Sequence, residues 1–111
     1  MKKEFLPLSS STLSVLKTLG AMIRAARLER GMSQAELSQR LGVSRSTVIS
    51  LEKGDPKVSV GTVFEAATTV GIPLLASDQR ELDRLATTVA NLTSVLPERG
   101  RRKRVALDDD F

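Results

Sequence analysis

The stretch that most constrains the fold runs from Ser33 to Gly54, SQAELSQRLGVSRSTVISLEKG, because it starts and stops two short helices in succession. Ser33 is a strong N-cap, and Glu36 three residues later completes a capping box, in which each side chain takes the other's backbone amide. The spacing predicts a helix from Gln34, with Leu37 and Leu41 on its buried face. Gly42 follows as a turn residue tolerant of positive φ, and Val43 is the apolar residue of the turn. Ser44 caps a second helix from Arg45 to Glu52 or Lys53, with Val48 and Leu51 inward, and Gly54-Asp55-Pro56 ends it. Leu37, Leu41, Val43, Val48 and Leu51 are expected to hold the two helices together.

On either side the pattern stays helical. Residues 1–10 read as a loose arm with Pro7 and Ser9–Ser11 as breakers, and Ser11 or Thr12 as the cap of a helix from about Leu13. Leu13, Leu16, Leu19 and Ile23 keep helical spacing as far as Arg30. Gly20 weakens that helix by ~1 kcal/mol relative to Ala and marks a candidate junction between helical pieces. Gly31 reads as a left-handed terminator. Downstream, Ser59 or Val60 starts a helix through Val70, with Val63, Phe64, Ala67 and Val70 apolar. Ile72–Ala76 allows either an edge strand or the first turn of another helix. Ser77 or Asp78 caps a last helix to about Leu96, in which Leu82, Leu85, Val89, Leu92 and Leu96 step by 3, 4, 3 and 4 as a heptad seam. Pro97 stops it, and a charged tail follows.

The expected fold class is all-α: a five-helix domain with a further C-terminal helix, and room for one short intersubunit strand near 72–76. The expected division is an N-terminal arm or helix extension over 1–18, a central helical domain with the two capped helices over 19–76, a C-terminal amphipathic helix over 77–97, and a flexible tail over 98–111.

With 111 residues there is room for one domain and a short appendage, and aromatics at 3% leave an aliphatic core. The chain has no Cys and no His, which removes disulfides, thiolate metal sites and the commonest general base. No cofactor and no metal are expected, and an enzyme is the least favoured class. The N-terminus lacks the 7–15-residue apolar run of a signal peptide, and no stretch approaches the ~18 apolar residues of a membrane span. The expected location is the cytoplasm. A net charge of +4 fits a nucleic-acid partner. Between Gly20 and Lys57, seven cations (Arg24, Arg27, Arg30, Arg40, Arg45, Lys53, Lys57) face four anions (Glu29, Glu36, Glu52, Asp55), so 7 − 4 = +3 of the excess lies there.

Two short helices joined by a turn, the second with small polar and basic residues facing outward, form the helix-turn-helix, whose second helix lies in the DNA major groove. Ser44, Arg45, Ser46 and Ser50 are the candidate base-reading residues. Arg45 can pair with both N7 and O6 of a guanine, and the serines can bond base edges or admit close approach. Ser33, Gln34, Thr47, Lys53 and Lys57 are candidate contacts to the DNA backbone, Gln34 standing where the first helix crosses a phosphate. Arg27 and Glu52 are read instead as a structural ion pair between the first helix and the end of the recognition helix.

The stretch RAARLERGMSQAELSQRLGVSRSTVISLEKG resembles the Cro/C1-type, or Xre-family, helix-turn-helix through Arg27, Ser33-Gln34, Leu37, Gly42, Val48 and the Leu51-Glu52-x-Gly54 ending. This implies a lambda-repressor-like fold. Ser38 departs from the Ala usual where the two helices touch but is still small. The longer pattern through Gly71-Ile72, with the closing LDDDF, is similar to HipB-like antitoxins, which accompany HipA-like kinase toxins. That resemblance implies a homodimer that binds a palindromic operator in double-stranded DNA, represses its own operon and holds the toxin.

The seam Leu82, Leu85, Val89, Leu92, Leu96 reads as packing, with a second chain as the favoured cover. In the tail, Arg99, Arg101, Arg102, Lys103 and Arg104 either track phosphates or keep the end solvated. Asp108, Asp109, Asp110 and Phe111 read as a toxin-docking motif, an aromatic anchor behind a charge cluster. The alternatives to the antitoxin are a stand-alone phage-repressor-like regulator and a helical adaptor that binds only protein.

Overall fold

The structure, a computed structural model, describes residues 7–98. The basic run from Arg99 and the tail residues Asp108, Asp109, Asp110 and Phe111 lie outside the described residues. Among the described residues there are five helices: α1 (Ser10–Glu29), α2 (Gln34–Leu41), α3 (Arg45–Glu52), α4 (Val60–Thr69) and α5 (Gln79–Ser94). The all-α class expected from the sequence is the class observed. The chain divides into two compact units, Met1–Leu74 and Leu75–Phe111, so α1–α4 belong to the first and α5 to the second. The count of five is reached with α5 included.

Every helix starts on a side-chain cap. Ser9, Ser33, Ser44, Ser59 and Asp78 each hold extended backbone and accept the amide three residues on, from Thr12, Glu36, Thr47, Thr62 and Glu81. Each cap satisfies one amide that the first turn leaves without a helical partner. At α2 the capping box is complete: Glu36 N–H donates to Ser33 Oγ at 3.0 Å, and Ser33 N–H to Glu36 Oε1 at 2.8 Å. At α1 the cap is Ser9, not Ser11 or Thr12, so the helix expected from about Leu13 takes in Ser10 and Ser11 as well.

Gly20 does not join two helices. The α1 helix runs unbroken through it, and the residue is fully enclosed. A Cβ there would stand 2.5 Å from the Leu51 carbonyl oxygen and 2.7 Å from that of Glu52, so the glycine lets the α1 backbone lie against the end of α3. Gly42, at φ 70° and ψ 31°, turns the chain between α2 and α3 in the left-handed region that L side chains avoid.

The first unit packs around Ile23 of α1, Met32, Leu37 of α2, Val48 and Leu51 of α3, and Val63, Ala66, Ala67 and Val70 of α4. Leu19, Leu41, Val43, Val58, Ile72 and Leu74 pack against this cluster half-buried. In α4 the buried residues are Val63, Ala66 and Ala67, and the C-cap Val70 completes the i, i+3, i+4, i+7 stripe of one helix face. Phe64, read as apolar within that pattern, is one step round the helix and 47% exposed.

Residues 72–76 form neither a helical turn nor a strand, only isolated bridge positions at Leu74 and Ala76. Pro73 has no amide to donate, and Leu75 sits at φ 67°, outside the regions of both regular structures. In the second unit, α5 carries the heptad seam. Leu82 is half-buried, while Leu85, Val89 and Leu92 are exposed. The helix ends at Ser94, so Leu96, the last seam residue, is not helical. Pro97 disfavours the helical conformation for the residue before it.

Candidate nucleic-acid interface

The outward face of α3 is set by what the helix buries. Val48, Leu51 and Glu52 are turned into the unit. Helical periodicity then puts Ser46, Ser50 and Lys53 on the opposite side, with Arg45 and Ile49 flanking them. Arg45, Ser46 and Lys53 are exposed, while Thr47, Ile49 and Ser50 are half-exposed. Arg45 is exposed, and its guanidinium carries a planar fork of N–H donors.

The hydroxyls at the start of α3 have a structural duty. Ser44 Oγ accepts the Thr47 amide at 3.1 Å and lies 3.0 Å from Ser46 Oγ and 2.9 Å from Thr47 Oγ1. Ser44 thus serves as the N-cap, and Ser46 and Thr47 share its hydrogen bonds. Ser50, one turn on, is the hydroxyl outside this cluster.

An open polar cleft of ≈ 280 Å³ runs beside this face, lined by Ser46, Thr47, Ser50, Asp55, Lys57, Val58, Ser59 and Thr62. It joins α3, the loop after it and the first turn of α4. Asp55 Oδ1 accepts the Lys57 amide at 2.9 Å, which shapes the loop that carries the Lys57 side chain. Ser59 and Thr62, whose hydroxyls lie 2.9 Å apart, are not among the candidate site residues that the sequence singles out. The capping spacing Ser59-x-x-Thr62 is visible in the sequence, but only the packing of α4 shows that this N-terminus borders the recognition face.

Gln34, Arg27 and Glu52 come together. Arg27 Nε donates to Glu52 Oε2 at 2.6 Å and Nη2 to Glu52 Oε1 at 3.1 Å, with the two side chains 6% and 3% exposed. Arg27 Nη1 donates to the Met32 carbonyl at 2.7 Å. Gln34 Nε2 donates to Glu52 Oε1 at 3.1 Å. The buried charges are therefore paired and further hydrogen-bonded, the condition under which burial is tolerated. Ser38 of α2 is buried, with its hydroxyl donating to the Ala35 carbonyl at 2.7 Å.

Comparison with known proteins places this geometry. The helix-turn-helix family profile matches residues 23–76. An uncharacterised HTH-type transcriptional regulator of Sinorhizobium fredii is 34% identical over 64 residues, covering 56% of this chain and 84% of its own length. The chain belongs to the helix-turn-helix family, of the Cro/C1 type. Another HTH-type transcriptional regulator of this family, from Methanothermobacter thermautotrophicus, is 42% identical over 50 residues, 45% of this chain and 72% of its own length. The cryptic phage CTXphi transcriptional repressor RstR of Vibrio cholerae is 36% identical over 58 residues, and the chain spans about half of its length (52%). No solved structure matches significantly. For this helix-turn-helix chain, α2 and α3 are the two helices of the matched motif.

Among the described residues no group of three or more His, Cys, Asp or Glu is placed to hold a metal ion, and no helix is long and apolar enough to cross a membrane.

Proposed function

We propose that this protein is a sequence-specific DNA-binding transcriptional repressor that binds a palindromic operator as a homodimer. The observation that carries the reading is the contrast across α3. Its inner side chains are buried and, in the case of Glu52, fully paired, while Arg45, Ser46, Ser50 and Lys53 are presented outward beside a polar cleft. Arg45 and the serines read base edges, and Gln34, Lys53 and Lys57 hold phosphates. A second copy supplies a second recognition helix ~34 Å away, one turn of duplex. The exposed seam Leu85, Val89 and Leu92 on α5 is the proposed symmetric contact.

The finer reading is an antitoxin of a HipA-like kinase toxin that represses its own operon in the cytoplasm. It rests on the resemblance of residues 19–76 and of the LDDDF ending to HipB-like antitoxins. The likeness to a phage transcriptional repressor favours a second reading, a stand-alone regulator without a toxin partner.

Footprinting on the protein's own upstream region at low salt tests the first claim, and a featureless footprint overturns it. Deleting residues 105–111 separates the two finer readings. An antitoxin loses capture of the kinase encoded beside it and keeps its footprint, whereas a stand-alone regulator has no such kinase to lose.

A further inference from the structure

Gln34 opens α2, and its amide is not free to turn. An ionised carboxylate only accepts hydrogen bonds, so the 3.1 Å contact to Glu52 Oε1 fixes the NH2 end of the Gln34 amide toward Glu52. The carboxylate is itself immobile, because Arg27 grips both of its oxygens from α1 and is anchored on the Met32 carbonyl. One side-chain network therefore ties the end of α1, the end of α3 and the start of α2. Arg27 and Glu52 are buried in it, and Gln34 stands at its half-exposed rim.

We propose that Glu52 is a positioning residue for DNA binding, one that acts through Gln34. This rests on the DNA-binding reading above and on Gln34 as a backbone contact. A glutamine amide carries two N–H donors and one carbonyl. With one N–H given to Glu52, the other N–H remains for a phosphate oxygen, in a side chain whose rotamer is chosen before DNA arrives. A free glutamine loses that rotamer freedom on binding, which weakens the complex. Held by Glu52, Gln34 has lost it on folding. The role is distinct from the ion pair: Arg27 holds the carboxylate in place, and Gln34 uses it.

The test compares Gln34→Ala in the natural chain and in a chain carrying Arg27→Met and Glu52→Met. That double change removes the carboxylate with its buried partner, so neither charge is stranded. Affinity for a duplex of the protein's own upstream region is measured by fluorescence anisotropy at one fixed salt concentration, with thermal melts of each variant. Gln34→Ala is expected to weaken binding by about 10-fold in the natural chain, the upper end of what ordering one side chain costs. In the Met/Met chain it is expected to cost about 2-fold or less, since an unpinned Gln34 contributes little. Equal losses in both chains overturn the positioning role and leave Gln34 as a contact. No loss in the natural chain overturns the contact and the proposal together, while a natural chain that ignores the duplex overturns the repressor reading itself.

A second measurement serves where the Met/Met chain does not fold. NMR relaxation of the Gln34 side-chain NH2 in the free natural chain should show it as ordered as the α2 backbone. A freely reorienting Gln34 amide overturns the proposal.

Discussion

Gly20 of α1 and Leu51 of α3 meet backbone to backbone, with no room between them for a methyl group: a Cβ on Gly20 would lie 2.5 Å from the Leu51 carbonyl oxygen. The contact sets how closely the first helix covers the end of the recognition helix, and it decides the sign of a common substitution. Alanine in a helix interior is favoured over glycine by ~1 kcal/mol. At Gly20 the added methyl must displace two backbone carbonyls, and overpacking of that kind costs about 1–3 kcal/mol. Gly20→Ala is therefore expected to lower stability by up to about 2 kcal/mol net in urea melts; a gain would show that the two helices separate freely.

Gly61 gives the opposite sign. It lies in α4, and a Cβ added to it would meet nothing within 4 Å. Gly61→Ala should stabilise by ~0.5–1 kcal/mol, through helix propensity and a stiffer unfolded chain, read from the same melts.

Breaking the buried pair should be far more costly than surface changes. Arg27→Ala strands the Glu52 carboxylate at 3% side-chain exposure with the Gln34 amide still donating to it, and takes from the Met32 carbonyl its Nη1 donor. The expected loss is about 3–5 kcal/mol in urea denaturation, whereas replacing both residues by Met should recover most of it.

Cations at the proposed interface should separate by role. Arg45→Ala is expected to cost about 1–3 kcal/mol on the operator and much less on random duplex, because it removes a base contact. Lys57→Ala should weaken both alike and flatten the plot of log K against log salt by ~0.9, the signature of one phosphate contact. Titrations across a series of salt concentrations distinguish the two.

The start of α5 should loosen in acid. The Ser77 hydroxyl and then the Ser77 amide, both donating to Glu81 Oε1 at 2.6 and 2.9 Å, hold the Glu81 carboxyl below its usual 4.5. A carboxyl lowered on folding stabilises above its unfolded value, and that contribution disappears as pH falls through the lowered one. NMR titration should find Glu81 protonating below the usual range, and Ser77→Ala should bring it back up. The same acid limb should release the Ser77 amide.

Most of the helix starts are legible in the sequence because their signals are local. Ser33 with Glu36, Ser44, Ser59 and Asp78 announce four helix starts, and each cap works within one turn of chain. Gly42 announces the turn for the same reason. Expectation and structure part where a residue answers to something distant in sequence. Gly20 looks like a weak point in a helix and is a contact with α3. Phe64 fits an apolar pattern and lies half in solvent. Gln34, expected to meet a ligand, is also bonded to a side chain eighteen positions away.

The sequence by itself determined the helices, the turn and the outward residues of α3, since capping, periodicity and positive φ are decided over a few neighbouring residues. Only the tertiary structure decided that Arg27, Glu52 and Gln34 form one network and that the N-terminus of α4 borders the recognition face. Those relationships depend on where the helices cross, which is set by the joint packing of Ile23, Leu37, Val48, Leu51 and Val70. No single stretch of chain contains that information.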